Sequence, residues 1–197
     1  MRGLDEKFYR KTLRKDRQRS YKMMCSYIVK NITPDLSSLV DFGCGVGWFL
    51  YYFKKLGIDD IVGVEPNRET LQIVDKSVKE NIKFLDLTKK INLKRRFDLA
   101  LNIEVVEHIN KKYEDIVLKN ITRHVDLLIF SAATPGQGGH GHVNEQPFKY
   151  WERKLNSFGF FCREDETQKF RQYLKKKKAK KWYVKNISIW KRGEFKK

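Results

Sequence analysis

Short apolar runs alternate with longer amphipathic stretches along this chain, and turn residues separate them. The runs at 38–43 (SLVDFG), 60–65 (DIVGVE), 82–87 (IKFLDL), 97–103 (FDLALNI) and 125–133 (VDLLIFSAA) read as five strands. The fifth is apolar almost throughout, as a strand buried on both faces requires. Between them, 46–57 is stopped by Gly57, 68–79 is capped by Asn67, and 113–124 shows helical spacing. This strand–helix alternation predicts βαβ units and a largely parallel sheet, an α/β fold. A further helix is expected through 148–159 (FKYWERKLNSFG), and 160–165 and 186–192 are expected as the last two strands. The first 31 residues read as a helical extension packed against the sheet.

Length and composition narrow the class. The 197 residues fit one domain, 1–197, with one core, and the hydrophobic share of 41% suits a globular chain. No apolar stretch reaches the roughly 18–20 residues that cross a bilayer. The first twenty residues lack the apolar segment of a secretory signal. Three scattered cysteines fit a reduced interior better than a disulfide framework or a zinc site, so a cytoplasmic location is expected. Forty-two Lys and Arg against 24 Asp and Glu give a net charge of +18, concentrated in 7–22 and in 173–185 (YLKKKKAKKWYVK). Such a field favours anionic partners: nucleic acid, a phosphorylated donor or an acidic surface. A solvated lysine-rich helix face is the plainer reading of the same run.

Chemistry enters at DFGCGVGWF, between the first strand and its helix. Gly43, Gly45 and Gly47 permit a tight turn and a close backbone approach to a ligand. The spacing is G-x-G-x-G. The third glycine of the dinucleotide fingerprint is replaced by Trp48, and no Gly-Lys-Ser/Thr follows as a P-loop would need. Glu65 ends the second strand, where an acidic side chain accepts from both hydroxyls of a ribose. Asp86, at the end of the third strand, is placed to meet an exocyclic amine. A close backbone, a ribose ligand and an adenine ligand, in that order, describe an adenosine-containing cofactor.

VDFGCGVGWF, VGVEPN, FLDL and FDLALNIEVVEHI resemble successive motifs of class I S-adenosylmethionine-dependent methyltransferases, over about 35–132. The resemblance implies a Rossmann-like, seven-stranded sheet in the order 3-2-1-4-5-7-6 with strand seven antiparallel. It implies S-adenosyl-L-methionine as cofactor, with Asp41, Gly43, Gly45 and Gly47 near its methionine part. Glu65 would hold the ribose, Asp86 the adenine amine, and Asn102 would lie by the sulfonium end. A narrower resemblance rests on FSAATPGQGGHGHVNEQPFKYW (130–151) and KWYVKNISIW (181–190). These are similar to methyltransferases found beside glycosyltransferases in bacteria and large viruses, including chlorovirus glycan-synthesis proteins. That resemblance implies methylation of sugar hydroxyls.

The segment LNIEVVEHI (101–109) holds the second candidate site. On a helix, Glu104, Glu107 and His108 at i, i+3 and i+4 share one face. They follow the fourth strand, whose carboxyl end borders the ligand site in this fold. Glu-x-x-Glu-His also resembles the metal motif of small-RNA 3′-end 2′-O-methyltransferases and of ubiquinone-pathway O-methyltransferases, in which a further ligand comes from beyond strand five. Here that segment supplies His140 and His142, and His142, just before VNEQ, matches the glycan family's pattern. Two catalytic readings stay open. Glu104, Glu107, His108 and His142 hold a divalent metal (mixed ligation of this kind suits Mn²⁺, Fe²⁺ or Zn²⁺ better than Mg²⁺), or His108 or His142 serves as a general base without metal. A third reading gives these side chains only structural roles.

The fourteen-residue segment 134–147 (TPGQGGHGHVNEQP) holds four glycines in 136–141, long and costly to order for a plain connection. It reads as a substrate loop, with Asn144, Glu145 and Gln146 able to bond sugar hydroxyls. Tyr150 and Trp151 are either a stacking platform for a sugar or core residues of the next helix. The expected acceptor is a glycan or nucleotide sugar. RNA 2′-O-methylation and a non-catalytic nucleic-acid-binding domain are the competing functions.

Overall fold

The computed structural model describes residues 15–193, with side chains from 18 onward. The first fourteen residues of the expected N-terminal extension, with part of the first basic cluster, lie outside the described residues. Seven strands form one sheet: β1 (Ser38–Phe42), β2 (Asp60–Val64), β3 (Ile82–Lys83), β4 (Leu99–Ile103), β5 (Leu127–Ser131), β6 (Phe160–Cys162) and β7 (Ser188–Arg192). Their order is β3-β2-β1-β4-β5-β7-β6. The first five run parallel and β7 is antiparallel to both neighbours, the topology expected from the sequence.

The helices are α1 (Lys15–Tyr27), α2 (Trp48–Lys55), α3 (Glu114–Thr122), α4 (Phe148–Ser157), α5 (Glu164–Lys176) and α6 (Lys181–Asn186). Every residue of β1 and of β4 is buried, because helices cover both faces. Successive side chains enter opposite layers. Leu39, Leu99 and Ile129 pack with Phe49, Phe53 and Phe170 from α2 and α5. Val40, Ala100 and Leu128 pack on the other side with Val117, Ile121 and Trp151 from α3 and α4. No helix among the described residues is long and apolar enough to cross a membrane.

Three local expectations are corrected. The stretch after Asn67 forms short 3-10 turns, Arg68–Gln72 and Lys79–Asn81, in place of a helix over 68–79. Asn67 does cap it, accepting from the Glu69 amide at 2.9 Å. Farther on, Asp75 takes the amide and hydroxyl of Ser77 at 2.9 and 2.6 Å, and this competes with the helical ladder. The third strand stops after two residues because Leu85 N donates to Lys83 O at 3.0 Å and turns the chain. The last two strands are shorter than the expected 160–165 and 186–192, and the helices α5 and α6 occupy 164–186 between them. Thr167, Phe170 and Leu174, at i, i+3 and i+7, bury one face of α5.

Candidate active site

The carboxyl ends of β1, β2 and β4 open into a cavity of about 430 Å³. Its floor is the turn after β1. Gly43, Gly45 and Gly47 all take positive φ (85°, 54° and 74°). At Gly43 the restriction is also steric: a Cβ there would lie 2.5 and 2.6 Å from the two γ-carbons of Val105. Gly43 and Gly45 line the cavity, whereas Gly47 sits behind them at the start of α2.

Glu65 is buried beneath this turn and holds its shape. One carboxylate oxygen accepts from the Gly45 amide at 2.9 Å, the other from the Asn67 amide at 3.0 Å. Asp41 is also buried and lines the cavity, and its Oδ2 has no hydrogen-bond partner among the described residues. Burial, reinforced by the charge of Glu65, pushes its pKa up to about 8. A buried, unsatisfied acid of this kind is stabilised by a cationic ligand group.

Across the cavity stands a second group of side chains. Ligand atoms of Glu107, His108 and His142 lie within 4.8 Å of one another. Glu107 is fully buried, its carboxylate has no side-chain hydrogen-bond partner among the described residues, and only the backbone N–H groups of Glu107 and Ala133 stand beside it. Burial and then the charge of Glu104 raise its pKa well above the ordinary range. Burial and then the neighbouring His142 lower His108 to about 4, so its ring is neutral at neutral pH, the form a metal ligand or a general base needs. The two imidazoles meet edge to face, 4.8 Å between centroids. His142 arrives on the long loop, which is pinned at this point. Val143 N and Asn144 N both donate to Glu107 O, at 2.8 and 3.1 Å.

The shared helix face expected for Glu104, Glu107 and His108 does not form. Glu104 N still donates to Ser131 O on β5 at 3.1 Å, so this residue ends the sheet, at a positive φ of 56°, and Val106–His108 is a single 3-10 turn. Glu104 lines the same cavity, but its carboxylate accepts from Ser131, Gln137 and Asn186 at 2.9, 3.0 and 3.2 Å. It stands outside the Glu107–His108–His142 group.

Besides Gly47, two expected cofactor contacts fall outside the cavity lining. Asp86 turns to accept from the amide and hydroxyl of Thr88, both at 2.8 Å, and Leu87 lines the wall. Asn102 is fully buried between strands, donating to Phe42 O at 2.9 Å. Nor do Asn144 and Gln146 line the cavity: Asn144 is buried and accepts from Gln146 at 3.0 Å. Trp151 is core, tilted against Phe130, and Tyr150 donates to Glu114 at 2.5 Å. Wall residues that were not anticipated include Tyr21 from α1, Gln137 from the loop, and Trp182 and Tyr183 from α6. The aromatic Trp-Tyr pair that ends the lysine run was the available signal.

Residues 13–176 match the family model described as "Methyltransferase domain". The chain belongs to the methyltransferase domain family. Its fold is that of the S-adenosylmethionine-dependent enzymes. The sugar N-methyltransferase KedS8 from Streptoalloteichus superposes with a TM-score of 0.73 at 14% identity, over 98% of this chain and 95% of that one. DesVI of Streptomyces venezuelae gives 0.69 at 14%, over 97% and 100%. Among curated proteins, this methyltransferase domain is 25% identical to the ribosomal protein L11 methyltransferase of Thermotoga petrophila over 113 residues, 55% of this chain and 41% of that protein. It is 28% identical to the ubiquinone biosynthesis O-methyltransferase of Pelagibacter ubique over 99 residues, 43% and 41%. The chain thus spans about two-fifths of the length of the curated relatives it matches.

Proposed function

We propose that this methyltransferase domain moves the methyl group of S-adenosylmethionine to a sugar hydroxyl of a glycan or nucleotide sugar, with a divalent metal, Mn²⁺ or Mg²⁺, at the acceptor side. The observation that carries the proposal is the placement of Glu107, His108 and His142 in the wall of the cavity that the glycine turn and Glu65 floor. A volume of about 430 Å³ lies in the range of small-ligand sites. Gly43 and Gly45 offer backbone at contact distance, Glu65 suits a ribose, and the unsatisfied Asp41 suits the cofactor's ammonium group.

The choice of oxygen over nitrogen rests on the second group of side chains. A neutral amine attacks a methyl sulfonium directly, whereas a sugar hydroxyl is a poor nucleophile until its tightly held proton is removed. The buried carboxylate of Glu107, with no side-chain hydrogen-bond partner among the described residues and beside two imidazoles, fits a divalent cation. When bound, such an ion acidifies a hydroxyl and aligns neighbouring oxygens. Glu107, His108 and His142 would hold it, and Glu104 shapes the wall beside them. The likeness of 130–151 and 181–190 to glycan methyltransferases of bacteria and large viruses supports a sugar acceptor, as does the sugar substrate named for KedS8. In this reading 1–197 forms one domain, with 35–132 for cofactor and 133–197 for acceptor.

One observation favours RNA as a second reading: exposed lysines at 175–178 and 181 lead straight into Trp182 at the cavity wall. The deciding experiment is methyl transfer from labelled cofactor to sugars, amino sugars, nucleotide sugars and RNA 3′ ends, with and without chelator. Chelator-sensitive methylation of a sugar hydroxyl is expected. Transfer to amines alone refutes the oxygen reading. Full activity under chelation, lost on His108→Ala, replaces the metal by a general base. A preference for RNA that weakens steeply with salt selects the second reading.

A further inference from the structure

One side chain closes the loop 134–147 on itself. Glu145 reaches back across it, with Oε1 2.8 Å from His142 Nδ1 and Oε2 accepting from the Gly136 amide at 2.9 Å. Both partners are largely enclosed, His142 12% and Glu145 20% exposed. An ionised carboxylate only accepts, so the proton of this pair belongs to Nδ1 and the lone pair of the neutral ring to Nε2. The ring is confined on a second side as well. A Cβ on Gly139 would stand 2.3 Å from His142 Nε2, so the imidazole lies directly against the Gly139 main chain. His108 closes a third side, its ring at 81° to that of His142. An imidazole without these restraints exchanges tautomers and flips about its ring axis. Held in this way, it presents one nitrogen in one direction.

We propose that Glu145 is a positioning residue: it fixes the tautomer and orientation of His142, so that Nε2 is the nitrogen offered to a divalent cation beside Glu107 and His108. The second part rests on the metal reading above. A carboxylate behind a ligating histidine contributes about 10–100-fold to metal affinity. Glu145 does not line the cavity, so its removal should leave cofactor affinity in place.

Two measurements on the full chain test the two parts. In the metal-free protein, isotope-labelled imidazole NMR should report His142 as the Nδ1–H tautomer in wild type and in Glu145→Gln, whose amide oxygen still accepts. In Glu145→Ala the Nε2–H form should appear. The same spectrum in wild type and Glu145→Ala overturns the positioning role, whatever the metal does. In the second measurement, Co²⁺ is titrated into wild type and variants and read by its visible absorption. Glu145→Ala should bind about 10–100-fold more weakly, with Glu145→Gln retaining most of the affinity. Gly139→Ala, which displaces the ring while leaving the carboxylate in place, should weaken Co²⁺ as well and carries the test if Glu145→Ala does not fold. A wild-type cobalt signal with unchanged affinity in these variants overturns the role toward metal. Absence of any cobalt signal in wild type overturns the metal reading itself, and the tautomer measurement then still decides the first part.

Discussion

Replacing Gly43 by alanine puts a methyl group where the turn after β1 has no room for one. Two costs combine. At φ 85° an L residue pays roughly 1–2 kcal/mol in backbone strain. The new Cβ also meets Val105 Cγ2 and Cγ1 at 2.5 and 2.6 Å, and Val105 Cβ at 3.2 Å. Valine is branched at that carbon and has no flexible end to swing aside, so overpacking adds roughly 1–3 kcal/mol. Gly43→Ala should therefore destabilise the fold by about 2–5 kcal/mol. Val105→Ala removes both offending methyls from a half-buried side chain and alone should cost about 1 kcal/mol. In the double variant the two closest contacts disappear while the 3.2 Å contact to the residue-105 Cβ and the strain remain, so the two substitutions should couple favourably by about 1–2 kcal/mol. Guanidinium unfolding of all four proteins, with equal slopes, reads this coupling directly. Additivity within about 0.5 kcal/mol would refute the argument that Val105 fixes the position of Gly43.

Glu65→Ala removes the acceptor for two loop amides and the expected ribose contact, so calorimetric affinity for S-adenosylmethionine should fall by about 1–3 kcal/mol. Chelation should abolish turnover without releasing cofactor, and Mn²⁺ should restore it. Alanine at Glu107 or His108 should slow methyl transfer by about 10²-fold or more with cofactor affinity unchanged, and wild-type rates in either variant would exclude them from the chemistry. At the opposite end of β1, burial pushes the Asp98 carboxyl up, but hydrogen bonds from Ser37 and Ser38 outweigh it and hold its pKa below 3.8. A depressed folded pKa gives stability that is complete above the unfolded value and is lost as pH falls through the folded one. Asp98→Asn should therefore cost about 1 kcal/mol at neutral pH, a figure reduced for its exposure, and should flatten the loss of stability below pH 3.8; an unchanged acid limb would refute this.

The strands were legible because a parallel sheet covered on both faces needs uninterrupted apolar runs, and β1, β4 and β5 have them; their order came from the resemblance to class I methyltransferases and not from the runs themselves. The glycine turn and Glu65 were legible for a related reason. Positive φ and close packing leave few residue types possible at 43–47, and an acid ending β2 is set beside that turn by the register of β1 on β2. By itself, then, the sequence determined the α/β class and the strands, with the sheet order implied by the family resemblance, and it marked the glycine turn and the acid where an adenosine cofactor is expected. Tertiary contacts decided the rest. Asp86 and Asn102 were assigned by their place along the chain; in the fold Asp86 accepts from Thr88, Asn102 donates to Phe42 O, and neither residue lines the cavity. Helical spacing grouped Glu104 with Glu107 and His108, but hydrogen bonds to Ser131 tied Glu104 to the end of β5 just past β4 and left a single 3-10 turn for the others. His142, 34 residues beyond His108, joins them only because the loop amides of Val143 and Asn144 bond to Glu107 O and Glu145 holds the ring. Periodicity along a chain reports which face of an element is buried. Which polar groups meet across that face depends on hydrogen bonds between segments distant in sequence, and those exist only once the chain has folded.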